Sequence, residues 1–209
     1  GKKISTRKIL FAAFKRKLYS EIKVAQFAGY ISEHSAYHHG EKSLIGAIVN
    51  MAQEFVGSNN INELMPLGQF GTRLQGGKDH ASERYIYTML NPITKFIYRE
   101  DDLPVLNYLD DDGTLVQPDF YAPIIPMVLV NGGKGIGTGF SYEGLPYNPA
   151  QISDYLKWKL NKSSTPIPKI EPYYEGFKGS IEKIQDIKDA MNPSDVYKKY
   201  LIKGCYKIT

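Results

Sequence analysis

Apolar residues at helical spacing fill the first 55 positions of this chain and constrain its fold more than any other feature. Leu10, Phe14 and Leu18 recur every four residues with Phe11 beside them, and Lys15, Arg16 and Lys17 fall between. This pattern predicts an amphipathic helix from about Arg7 to Ser20 with a basic polar face. Val24, Phe27, Ala28 and Ile31 predict a second helix from Glu21 to about Ser35. Leu44, Ile45, Ile48, Ala52 and Phe55 form the clearest stripe, with Gly57 placed as a C-terminal stop.

Between the second and third helices lies "SAYHHGEKS", a short turn containing Gly40. A basic helix followed by two helices across a tight turn is the outline of a helix-turn-helix. The stretch "LGQFGTRLQGGKDH" is Gly-rich, carries Arg73 and Lys78, and leads into the alternating "RYIYTML". A Gly-rich loop bounded by strands after a three-helix unit predicts a wing, and with it a winged-helix domain of about 120 residues.

From Asp119 the character changes. "FYAPIIPMVLVNGGKGIGTGF" reads as an apolar β-type run ending in a loop of five glycines. A helix is predicted from Pro149 to Leu160, then a Ser/Pro-rich connection, and "GFKGSIEKI" reads as a strand after a turn. The domain boundary is set near Ala122, giving units 1–121 and 122–209.

Chemistry excludes several function classes. The longest apolar run, Ala122 to Val130, is interrupted by Pro123 and Pro126 and is too short to span a bilayer. No membrane partner is expected, and GKKISTRKIL is not followed by the apolar core of a signal peptide. The single Cys205 rules out an internal disulfide framework and fits a reducing compartment. Net charge is only +4, but Lys2, Lys3, Arg7, Lys8, Lys15, Arg16, Lys17 and Lys23 crowd the N-terminal end, as a polyanionic partner would require. With no initiating methionine, the sequence reads as a piece of something larger.

His34 and His38 stand four apart with His39 adjacent, yet no cysteine is near, no H-E-x-x-H occurs and Gly40 interrupts the helix, so a zinc site is disfavoured. Histidines and a lysine ahead of a recognition helix fit a phosphate backbone better. "VLNYLDDDG" could present Asp-x-Asp to Mg²⁺, but without a second carboxylate-ended strand it fits a hairpin turn at Asp112-Gly113 better. "NGGKGIGTG" matches neither phosphate-loop pattern. Ile136, presented from it, is either a buried turn residue or a wedge between base pairs.

"HASERYIYTML" holds Tyr85 and Tyr87, with Arg84 directly before the first. A phenol needs help to attack a phosphodiester, and Arg84 offers a cation. In a regular strand, however, residues 84 and 85 point to opposite faces. Spacing does not rank the two tyrosines, and with sixteen tyrosines in the chain composition favours core packing for both.

The stretches "SEIKVAQFAGYISEHSAYHHGEKSL", "EFVGSNNINELMPLGQFGTRLQGGKDHASERYIYT", "PIIPMVLVNGGKGIGTGFS" and "GFKGSI" together resemble, in order and spacing, the breakage-reunion region of eukaryotic-type DNA topoisomerase II, a type IIA enzyme. The resemblance implies that Tyr85 attacks DNA to form a 5′-phosphotyrosyl bond, that Arg84 contacts the scissile phosphate, and that Tyr87 is structural. It implies that Ile136 intercalates and bends the duplex. Lys3, Arg7, Lys8, His38, His39, Gly40, Lys42, Ser43, Arg73 and Lys78 become expected DNA-contacting positions on the basic helix, the recognition-helix approach and the wing.

The chain departs from the family where GKKISTRK stands for G-L-K-P-x-Q-R-K. Ile4 replaces a proline, and a different entry to the first helix is expected. By the resemblance, Mg²⁺ belongs to an upstream TOPRIM module and ATP to an ATPase module further upstream, so no metal site is expected in this piece and no cleavage by it alone. The implied partners are double-stranded DNA and a second copy in a homodimer of the full-length enzyme. The location is nuclear for a cellular source, or a cytoplasmic replication site for a large DNA virus, which the departures would suit. The expected fold is α+β, a winged helix followed by part of an α/β tower domain. The rival expectation is a non-catalytic winged-helix module that only bends DNA.

Overall fold

A computed structural model describes residues 2–162, 164–188 and 196–207. Helix α1 spans Ile4–Lys15 and buries Ile9, Leu10, Ala12 and Ala13. It begins three residues before the predicted start, at Ile4, where a different entry to the helix was expected. It also ends earlier, because Lys17 turns left-handed at φ 51° and the Leu18 N–H closes back on the Ala13 carbonyl. That closure is a Schellman-type stop, with Leu18 supplying its buried apolar contact.

Strand β1, Ile22–Lys23, leads directly into α2, Val24–Ser35, which ends at a left-handed Ala36. Helix α3, Glu41–Ala52, starts after Gly40 and buries Leu44, Ile45, Ile48 and Val49. It stops five residues before Gly57, since Gln53 is already extended, and Phe55 falls outside the helical stripe. Phe27, Ile9, Leu10, Ile31, Leu44 and Ile48 are fully enclosed where the three helices meet. Each such side chain contributes roughly 1.5–3 kcal/mol of burial.

Strand β2, Tyr87–Thr88, pairs antiparallel with β1, and single bridges join Leu67 to Tyr87 and Leu64 to Leu90. The alternation expected of "RYIYTML" holds from residue 86, with Ile86, Thr88 and Leu90 buried. Residues 83–85 instead form a turn. After the short helix α4, Thr94–Ile97, strands β3, Tyr108–Asp111, and β4, Thr114–Pro118, make a hairpin closed by left-handed Asp112 and Gly113. Its Asp110 side chain accepts the Gly113 N–H, which satisfies the acidic-turn reading.

The run before the glycines is not a strand. Met127–Val130 is a short helix, α5, because Pro126 cannot donate to a ladder but suits a helix start. Strands β5, Gly133–Gly137, and β6, Phe140–Gly144, form a hairpin, followed by α6 at Pro149–Leu160 as predicted. Asn148 caps α6 through the Ala150 N–H, with Pro149 in the first turn. Strands β7, Ser180–Lys188, and β8, Val196–Lys203, pair antiparallel. The fold is thus α+β with small antiparallel sheets. One apolar cluster runs from the helices through Tyr121 to Met127, Val130 and Ile152.

Candidate nucleic-acid interface

Arg84 and Tyr85 occupy a turn in which the Tyr85 N–H bonds to the Ser82 carbonyl. The turn is fastened from below. The Val24 and Ala25 N–H groups, in the first turn of α2, bond to the carbonyls of Ile86 and Glu83 at 3.0 and 3.1 Å. Ile86 is buried against Gly68, so the chain is pinned immediately after Tyr85 while the Tyr85 side chain stays 72% exposed. Because the backbone turns here, the alternation objection lapses. The Arg84 guanidinium lies 5.8 Å from the Tyr85 ring centroid. Tyr87, by contrast, is half-buried and pairs its backbone with Leu67.

The wing is a closed loop. Both oxygens of Asp79 accept from Thr72, from its N–H at 2.8 Å and its hydroxyl at 2.7 Å. These bonds hold the Asp79 carboxyl below the usual aspartate range. Gly71 and Gly77 touch, since a Cβ on Gly71 would fall 2.6 Å from the Gly77 backbone, and both have positive φ. Gln53 donates to the Phe70 and Gly77 carbonyls and so ties the wing stem to the end of α3. Arg73 and Lys78 project from this loop into solvent, and Leu74 between them is 98% exposed.

At the start of α3, Lys42 and Ser43 are exposed and the Ser43 N–H closes on Gly40. His39 packs its ring against Tyr37, while His38 stays largely exposed with its Nε2 3.5 Å from Asp111. His34 stacks on Tyr30 and hydrogen-bonds that residue's carbonyl. Among the described residues no three His, Cys, Asp or Glu side chains converge as a metal site would require.

Two of the expected contact residues are engaged inside the fold. Lys8 is only 9% exposed, and its ammonium donates to the Ser35 and Ala36 carbonyls at the end of α2. Burial lowers its pKa, and its charge sits against the C-terminal carbonyls of α2. Arg7 is half-buried and donates to the Pro118 and Asp119 carbonyls, fastening α1 to the end of β4. Lys3 remains exposed.

Ile136 is 93% exposed, which removes the buried-turn alternative. It faces Ser141 across the hairpin, and Lys134 pairs with Glu143 on the same face, their charged atoms 2.6 Å apart. By strand alternation Gly133, Gly135 and Gly137 share the other face with Phe140 and Tyr142.

The setting of several residues carried no sequence signal. Glu63 is buried, salt-bridged to Lys2 at 2.6 Å and hydrogen-bonded by Tyr98 at 2.6 Å; burial and that carboxylate push the Tyr98 pKa up. Leu74 and Asn60 likewise read only as loop residues.

The family pattern of the DNA gyrase/topoisomerase IV A-subunit matches residues 1–207. DNA topoisomerase 2 of Pisum sativum is 57% identical over 178 residues, 85% of this chain and 12% of the relative. The probable DNA topoisomerase 2 of Dictyostelium discoideum is 53% identical over 207 residues, 99% of this chain and 13% of the relative. The chain thus spans about an eighth of the length of these relatives. A crystal structure of the Plasmodium falciparum topoisomerase II DNA-binding, cleavage and re-ligation domain superimposes with a TM-score of 0.83 at 52% identity, covering 86% of this chain and 24% of that one. An identity above one half, sustained almost from end to end and matched in three dimensions, leaves one assignment: the chain belongs to the DNA gyrase/topoisomerase IV A-subunit family, on its eukaryotic DNA topoisomerase II side.

Proposed function

We propose that this chain is the DNA-gate part of an ATP-dependent type II DNA topoisomerase, an isomerase that makes and reseals a transient double-strand break through Tyr85. The observation that carries this reading is an exposed phenol on a pinned turn with a guanidinium beside it. In the cleavage step the Tyr85 oxygen attacks phosphorus, a tyrosyl O–P bond forms, and the bond to the 3′-oxygen breaks. The phenol loses its proton and the departing 3′-oxygen gains one. Arg84 stabilises the charge on the non-bridging oxygens. The phosphotyrosyl bond keeps the linkage energy, so religation is the same step reversed.

Lys3, His38, His39, Lys42, Ser43, Arg73 and Lys78 hold the duplex backbone, and such contacts make affinity strongly salt-dependent. Ile136 enters the base stack and bends the duplex. Residues 1–121 act as the winged-helix domain and 122–209 as the start of the tower domain. The described residues offer no ligand set for Mg²⁺, and the sequence has no phosphate loop for ATP. Both belong to other modules of the parent protein, and no step above runs through them. The parent acts as a homodimer, each copy cutting one strand, and works in the nucleus if its source is cellular.

The test is a covalent adduct. Full-length protein incubated with supercoiled DNA, then denatured, is expected to retain DNA on Tyr85, and Tyr85→Phe to lose it while binding duplex within a few-fold. Bending without any adduct would establish the non-catalytic alternative instead.

A further inference from the structure

Asn60 lies in the loop after α3, outside every group given a role above. Its Nδ2 donates to the carbonyls of Val130 at 2.8 Å, Tyr173 at 3.0 Å and Tyr147 at 3.3 Å, and its Oδ1 accepts the Glu175 N–H at 2.8 Å. Two N–H bonds therefore serve three acceptors, which leaves the amide little unused capacity. Val130 stands before β5 and Tyr147 after β6, so one side chain fastens both legs of the hairpin that carries Ile136. The neighbouring Ile61 exchanges two bonds with Asn131, whose Oδ1 accepts its N–H at 3.0 Å and whose Nδ2 donates to its carbonyl at 2.8 Å.

The legs meet closely above this point. A Cβ on Gly132, which has φ +67°, would fall 2.6 Å from the Gly144 carbonyl oxygen. Beyond it the hairpin is two strands with an exposed tip and few side-chain contacts, and an isolated pair of strands is marginal in water. Its direction must be set at its base. An apolar wedge works only if it arrives at the base step in the right orientation.

We propose that Asn60, with Asn131, is a positioning residue for DNA bending: the paired amides hold the β5–β6 hairpin at the angle from which Ile136 enters the duplex. This rests on Ile136 meeting DNA. No other residue type replaces Asn60 simply. Aspartate would set a carboxylate against three carbonyls, and serine would reach too few of them.

The experiment uses the full-length protein that carries this chain. Asn60→Ser is expected to speed amide exchange in residues 133–144 about tenfold, the effect of losing roughly one net hydrogen bond, with α1 to α3 unchanged. Bending of an end-labelled duplex, followed by energy transfer at saturating protein, should fall to the level of Ile136→Ala while duplex affinity holds. Adding Asn60→Ser to Ile136→Ala should cost no further bending, as expected when both act through one element. Unchanged hairpin exchange would overturn the proposal, as would a parallel fall in helix protection and affinity. Loss of bending in Ile136→Ala but not in Asn60→Ser sinks the proposal alone, whereas full bending by Ile136→Ala sinks the wedge reading beneath it. Should Asn60→Ser fail to fold, Asn131→Asp carries the same comparison, since it keeps the acceptor for the Ile61 N–H but loses the donor and sets a carboxylate oxygen against the Ile61 carbonyl.

Discussion

The Arg84 guanidinium lies beside the Tyr85 ring, its carbon 5.8 Å from the centroid, on a turn whose two flanking carbonyls cap the first N–H groups of α2. On the proposed reading, this cation and the attacking phenol share one turn. Arg84→Ala is therefore expected to slow DNA cleavage on the order of 100-fold, the usual cost of a lost transition-state donor, with duplex affinity nearly unchanged. Arg84→Lys should recover only part, since it keeps the charge and loses the planar fork. Tyr87→Phe, at a half-buried position held by its backbone, should cleave like the parent. Rates of adduct formation against binding isotherms check all three; an equal fall in affinity and rate for Arg84→Ala would reduce Arg84 to an anchoring contact.

Ile136→Ala should leave the melting temperature unchanged, because a side chain this exposed contributes within about 0.5 kcal/mol to the fold. Bending should drop. A melt compared with an energy-transfer bending assay separates the two, and a destabilised variant that still bends DNA would refute the assignment.

The wing should loosen in acid. Thr72 holds the folded Asp79 pKa below its unfolded value, so the unfolded chain takes up the proton first as pH falls. The stabilisation is fully present above about pH 4, the ordinary aspartate value, and is lost as pH drops through the lower folded value. Protection of the Gly77 amide, which donates to the Thr72 carbonyl, is the readout. In Asp79→Asn that protection should already be low at neutral pH and show no further acid step.

Lys8 and Lys42 should separate stability from DNA binding. Lys8→Ala leaves the Ser35 and Ala36 carbonyls without their donor and is expected to cost about 1–3 kcal/mol of stability, with the salt dependence of DNA affinity intact. Lys42→Ala should melt like the parent and reduce the slope of log affinity against log salt by about 1. Thermal melts and salt titrations of the two variants decide it, and the reverse pattern would return Lys8 to the interface.

The three helices, the wing loop, the β3–β4 turn and α6 were legible because each rests on a local rule: apolar spacing, a Gly-rich or Asp-Gly turn, an Asn-Pro start. The misplaced boundaries also have local causes that periodicity does not register. Lys17 adopts a left-handed turn that its residue type does not announce, and Pro126 converts an apolar run from strand to helix. Tyr85 and Tyr87 were indistinguishable by spacing, and only the family resemblance favoured the first.

By itself, then, the sequence determined the helices α1, α2, α3 and α6, where the glycines must bend the chain, and that the N-terminal end is basic. Tertiary structure alone decided which cations remain free. Lys3 and Lys8 look alike in sequence, yet one is solvated and the other lies under the end of α2. It also decided that Tyr85 is exposed while Ile86 is buried, that Ile136 points outward, and that Asn60 reaches carbonyls 70 to 113 residues away. The reason is physical. Apolar burial is non-directional and leaves a periodic trace along the chain, whereas a hydrogen bond requires a donor and an acceptor at one distance and angle, a condition met only once distant segments have packed.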